Sequence, residues 1–247
     1  MTPRPAPRIV GREPLPTAVA GAWPRGGEPE IWLLSVSEFT AAMDPGAPGK
    51  ILDAGERERV AKFVRAEDRE RYTAAHMGLR QLLGGYLDLI PADVPFTREA
   101  CPGCGGPHGR PAVPGTPLHF NMSHAGDLVL FAFAGTPVGA DVENLQPASV
   151  VAQVAQSLHP RERAELDALP EADRPAAFAR CWTRKEAYLK GIGTGLSQDP
   201  AIAYVGTGTE PVPVGPWTMA DIAVREAVPG GFGYAAALAL LSSSTNA

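Results

Sequence analysis

Apolar positions along the chain fall into two rhythms. Ile31 to Val36 and Leu128 to Ala134 are short apolar runs of strand length. Val138, Ala140 and Val142 alternate with Gly139, Asp141 and Glu143, the period of two expected of a strand. Other stretches recur every three or four residues. Phe178, Cys181, Trp182, Lys185, Glu186 and Leu189 share such spacing, no proline falls between Ala176 and Lys190, and Gly191, Gly193 and Gly195 follow. That pattern predicts a helix with a glycine stop. Helices are also predicted over 56–64, 67–87 and 161–169. The Ala/Leu-rich run from Gly233 to Leu241 fits a closing strand or a short helix. Strand, helix, long helix therefore occurs twice. It predicts an α/β (α+β) chain built as a pseudo-twofold pair of similar α/β subdomains. Expected bounds are an extended N-terminal lead over 1–29, halves over 30–136 and 137–241, and a loose tail over 242–247.

The polar positions inside these patterns carry the chemistry. Asp141 and Glu143 project from one strand face, about 7 Å apart along the strand. Two carboxylates so placed repel unless water solvates them or a cation sits between them. Magnesium, which takes oxygen ligands and retains water, suits the gap; a polar exposed strand face is the plain alternative. Glu186 and Lys190 are four apart on the predicted helix. They read either as a surface ion pair, or as a metal ligand or base beside a phosphate-binding lysine. Ser123 and His124 lie before the Leu128 strand, where such residues commonly satisfy local backbone. No Gly-x-Ser-x-Gly elbow surrounds Ser123, which argues against a serine hydrolase.

Order and spacing tie these segments together. Phe120-Asn121-Met122-Ser123-His124, then Gly139-Ala140-Asp141-Val142-Glu143, then Trp182-Thr183-Arg184-Lys185-Glu186-Ala187-Tyr188-Leu189-Lys190 with its glycine-rich turn, resembles the signature of 4′-phosphopantetheinyl transferases of the surfactin-synthetase type. The resemblance covers roughly 56–196. It implies transfer of phosphopantetheine from coenzyme A to a serine of an apo acyl or peptidyl carrier protein, with release of adenosine 3′,5′-bisphosphate. By the same resemblance Asp141, Glu143 and Glu186 ligate Mg2+, Glu186 is the candidate base, and Lys190 offsets pyrophosphate charge. Ser123, His124 and Lys185 are then assigned to coenzyme A, with a protonated His124 on a phosphate. Gly109-Arg110-Pro111 resembles a further element of the family and makes Arg110 a phosphate contact. Some relatives place a basic residue where Ala66 stands, so Arg65 or Arg69 is expected to substitute for it. The pseudo-twofold architecture implies a site between the halves and a monomer. Carriers of polyketide and nonribosomal peptide pathways are the expected partners, docking near Leu145 and the helix after it. A magnesium phosphoesterase, or a non-catalytic binder of coenzyme A or carriers, is the rival reading.

Charge and cysteine content narrow the setting. Twenty-two Lys and Arg against 27 Asp and Glu give a net charge of −5, which is no nucleic-acid footprint. Arg65, Arg69, Arg71, Arg80, Arg110 and Lys190 could still line a locally positive cleft. No apolar run is long enough to span a membrane and no signal pattern opens the chain, so a cytoplasmic protein is expected. The three cysteines make no disulfide framework. Cys101-Pro-Gly-Cys104 with His108 supplies three ligands, one short of the usual structural zinc set, with Cys181 the only further thiol. A glycine-rich loop with reduced thiols is the expectation there.

Overall fold

The computed structural model describes residues 5–17, 28–224, 227–228 and 231–242. The chain begins with strand β1 (Arg8–Ile9) and strand β2 (Glu30–Ser35). Four helices follow: α1 (Val36–Ala42), α2 (Ala47–Ile51), α3 (Ala54–Lys62) and α4 (Ala66–Leu87). A two-residue pair, β3 (Thr97–Arg98) with β4 (Pro111–Ala112), frames a loop before β5 (His119–Ala125) and β6 (Leu128–Ala134). The second half runs β7 (Val138–Asn144), α5 (Ala148–Val154), α6 (Pro160–Asp167), α7 (Arg174–Ile192), β8 (Trp217–Asp221) and β9 (Tyr234–Leu241).

The two sheets share one topology. In the first half β2 pairs with β6 and β6 with β5; in the second β7 pairs with β9 and β9 with β8, all antiparallel. In each half the last strand of the chain sits between the first and the penultimate one. β1 is an addition, parallel to β2, with Ile9 buried and the Val10 amide bonded to the Leu33 carbonyl. The expected extended lead over 1–29 therefore contains an ordered strand. Residues 1–4 and 18–27 of that lead and 243–247 of the tail lie outside the described residues. Val36 is helical, not the end of a strand, because the Ser35 hydroxyl accepts from the Glu38 amide and caps α1.

Strand alternation assembles four layers. Leu128, Leu130, Ala132 and Ala134 of β6 face Val138, Ala140, Val142, Ala236 and Leu238 of the other sheet in one core. Val129, Phe131 and Phe133 point the opposite way, onto Ala75, Leu79 and Leu82 of α4. On the far side, Ala237 and Ala239 meet Ala187 of α7 and Trp217. The order is helix, sheet, sheet, helix. Gly139 permits α7 to lie unusually close to β7: a Cβ there would fall 1.9 Å from the Ala187 carbonyl oxygen and 2.4 Å from the Gly191 nitrogen. Because Ala140 and Val142 point into the shared core, Asp141 and Glu143 must point at α7.

Candidate active site

Three elements converge on Asp141, which is 1% exposed. Its Oδ1 accepts from Ser123 Oγ on β5 at 2.8 Å and from Lys190 Nζ on α7 at 2.6 Å. Lys190 Nζ also donates to Ser123 Oγ at 2.9 Å. Among the described residues, Asp141 Oδ2 is buried with no hydrogen-bond partner, an uncommon and costly condition for a carboxylate oxygen. Burial pushes the Asp141 pKa up, against the lowering effects of Lys190 and Ser123. Burial, then the Asp141 charge, pushes half-buried Glu143 to about 7, with Glu186 adding to the rise and Lys190 opposing it. Glu186 is raised by burial and by Asp141, again opposed by Lys190.

This donor set fits a hard divalent cation. It offers only oxygen, it carries excess negative charge, and one buried oxygen lacks a partner. The donor atoms of the three carboxylates do not all lie within 4.8 Å of one another. Mutual repulsion favours that spacing, and the Lys190 ammonium takes the counter-ion position on Asp141.

Beside this cluster opens a cleft of about 780 Å3, lined by α3, α4, the β3–β4 loop, β5 and Lys190. Alternation along β5 separates its residues: Phe120 and Met122 face the cleft and α4, and His124 shares their face. Ser123 faces β7 instead, and the Asn121 side chain accepts from the Ala140 amide, joining the two sheets. Lost hydration and then the positive charges of Arg71 and Lys190 push the His124 pKa down, opposed by a hydrogen bond to its own backbone. The expected protonated His124 is thus disfavoured until an anion is beside it.

Several expected site residues are committed elsewhere. Lys185 does not line the cleft. It is 1% exposed, pairs with buried Glu162 at 2.7 Å and donates to the Pro200 and Ala203 carbonyls. One residue's rotation on the helix turns it from Glu186 toward α6. Ser123 spends its proton on Asp141, so it positions the carboxylate and Lys190. Arg110 makes two bonds to Glu99 Oε2 and one to the Gly191 carbonyl, pinning its loop to the end of α7. Arg80 is buried, bonded to Glu56, Asp53 and the carbonyls after α4. Arg65 and Arg69 are exposed at the start of α4, outside the cleft lining, although helical spacing puts them on one face with Tyr72 and His76.

Sequence reasoning missed Arg59, Tyr72, His76 and Arg98 in the cleft wall. Tyr72 stacks on His76 with ring centroids 3.9 Å apart, and His76 bonds Glu56 at 2.9 Å. Their four-residue spacing was the available signal. Cys181 lies in the core formed by α5, α6 and α7 and does not approach Cys101 or Cys104.

The family profile of the 4'-phosphopantetheinyl transferase superfamily matches residues 137–215, the segment that carries Asp141, Glu143, Glu186 and Lys190. The chain is 37% identical to 4'-phosphopantetheinyl transferase HetI of Nostoc sp. over 65% of this chain and 67% of the relative. It is 29% identical to a putative 4'-phosphopantetheinyl transferase of Synechocystis sp., over 69% of this chain and 67% of that one. Against 4'-phosphopantetheinyl transferase Sfp of Bacillus subtilis the identity is 29%, over 57% of this chain and 60% of the relative. The chain belongs to the 4'-phosphopantetheinyl transferase family and is an enzyme of that type. Among the described residues, no helix is long and apolar enough to cross a membrane.

Proposed function

We propose that the protein transfers the 4′-phosphopantetheine arm of coenzyme A to the serine of apo acyl and peptidyl carrier proteins in a Mg2+-dependent reaction. The observation that carries this reading is the buried Oδ2 of Asp141, without a partner among the described residues, on a carboxylate whose charge raises both Glu143 and Glu186 and whose counter-ion Lys190 lines a cleft of about 780 Å3. Asp141, Glu143 and Glu186 would hold the metal. When bound, Mg2+ supplies charge neutralisation on the pyrophosphate.

The chain's own residues would do the rest. Lys190, steered by Ser123, neutralises a pyrophosphate oxygen. His124 and Arg71, with Arg59 and Arg98 in the cleft wall, offer positive charge to the remaining phosphates. Glu186, with its raised pKa, accepts the proton of the carrier serine. The serine oxygen then bonds the phosphorus that bears pantetheine, the anhydride P–O bond breaks, and adenosine 3′,5′-bisphosphate leaves with its electron pair. Leu145 and exposed Val150 leave apolar surface near Glu143, where a carrier would dock. The first half lines the cleft and the second half supplies Lys190 and the carboxylates, all within one chain, in keeping with a monomer. Reduced cysteines suit the cytoplasm, and carriers of polyketide and nonribosomal peptide assembly are the proposed substrates.

The test is intact-mass measurement of several apo carriers incubated with the protein, coenzyme A and Mg2+. Each carrier served gains one phosphopantetheine, and none gains it without a divalent metal. No gain, with coenzyme A bound and unchanged, would favour a non-catalytic binder; coenzyme A hydrolysed without transfer would favour a phosphoesterase.

A further inference from the structure

Between β3 and β4 the chain makes a 12-residue excursion, 99–110, held to the body by very little regular structure. Three soft or borderline ligands converge there. Sγ of Cys101, Sγ of Cys104 and one ring nitrogen of His108 all lie within 4.8 Å of one another, and Cys104 Sγ is 3.0 Å from His108 Nε2. A tetrahedral zinc with Zn–S of ~2.3 Å and Zn–N of ~2.0–2.1 Å spaces its ligand atoms ~3.5–3.8 Å apart. The three atoms need only small rotations to reach that spacing.

The backbone is shaped for the same arrangement. The Gly105 amide donates to the Cys101 carbonyl at 2.7 Å, and the Cys101 amide donates to the Gly106 carbonyl at 2.8 Å. Gly105 takes φ of +72°, which few other residues tolerate. A Cβ on Gly106 would press to 3.0 Å from the His108 ring, so glycine there makes room for the imidazole. The amides of Cys104 and Gly103 point at the Cys101 sulfur and hold it in place. A disulfide needs only the two thiols; the third convergent donor, His108, favours a metal.

We propose that Cys101, Cys104 and His108 bind one zinc ion, with the fourth position open to water, and that this ion clips the β3–β4 excursion into shape. Binding displaces the thiol protons to solvent. The clip has a structural consequence, because the same excursion lends Pro107 to the cleft wall and anchors Arg110 on the end of α7. Zinc here is separate from the oxygen-lined carboxylate site, whose hard donors suit magnesium.

The test is metal analysis of the full chain, expressed with zinc in the medium, purified under reducing conditions and desalted. About one zinc per chain is expected, and cobalt substitution should give the absorption of a tetrahedral thiolate site. Cys104→Ser and His108→Ala, both at exposed positions, should each weaken retention against a competing chelator by at least about tenfold. Cys181→Ser should retain the metal fully. Zinc well below one equivalent in the wild-type chain, or equal in wild type and both ligand variants, would overturn the site and leave an adventitious ion only. A wild-type mass lacking two hydrogens, with Cys101 joined to Cys104, would overturn it in favour of a disulfide.

Discussion

Asp141 has two oxygens in opposite conditions. Oδ1 is held by Lys190 and Ser123, and Oδ2 is buried without a partner among the described residues. Lys190→Ala removes the charge offsetting that carboxylate, so transfer should fall on the order of 10²–10³-fold while the chain stays folded by circular dichroism; normal kinetics would reduce Lys190 to a surface pair. The raised carboxylates also set a pH dependence. Glu143 titrates at about 7 in the folded, metal-free chain, above its usual value of 4.5. Between those values the folded state holds more protons than the unfolded one, so this group's stabilisation is lost as pH rises through 7. Against a Glu143→Gln variant, the metal-free wild type should therefore lose melting temperature from about pH 5 to pH 8. Magnesium should restore more of it at pH 8 than at pH 6, because the metal competes with those protons. A difference between the two proteins that does not change with pH would contradict the assignment.

Among single residues, the sequence made Asp141, Glu143, Glu186 and Lys190 legible because strand period two and helix period four are local. The roles of Ser123, Lys185 and Arg110 were not legible. Their partners are Asp141, Glu162, and Glu99 with Gly191, and the contacts to Glu162 and Gly191 arise only when distant elements pack.

At the scale of elements, the site depends on how closely α7 approaches β7. Gly139 faces Ala187 and Gly191 across that contact, and a Cβ on Gly191 would meet the Trp217 ring at 2.6 Å. Gly139→Ala should push α7 away from the strand at a cost of about 1–3 kcal/mol, read as a lower midpoint in urea. It should also lower transfer at temperatures where the variant remains folded, since Glu186 and Lys190 move with α7. Unchanged midpoint and unchanged transfer would show that the helix does not need that approach. The strand–helix–long-helix repeat was visible in the sequence. The shared strand order was not, because pairing of β2 with β6 and of β7 with β9 joins segments far apart in the chain.

For the whole molecule, the decisive feature is the core shared by the two sheets. Leu33 and Leu130 of one half pack in the same cluster as Ala140, Val142 and Leu238 of the other. Neither half can expose that face without losing the other's cover, so both should unfold together. Tryptophan fluorescence and far-ultraviolet circular dichroism should give coincident urea transitions; two separate transitions would contradict a common core. β1 seals an edge of this arrangement from a segment whose composition alone reads as an extended lead.

The proposed transfer of phosphopantetheine is magnesium-dependent and anchored on Asp141. Its most direct test is the intact mass of an apo carrier protein after incubation with coenzyme A, Mg2+ and either wild type or Asp141→Asn, both verified as folded. Wild type should leave the carrier one phosphopantetheine heavier, and the variant should do so on the order of 10²–10³-fold more slowly. Equal rates for the two proteins would contradict it.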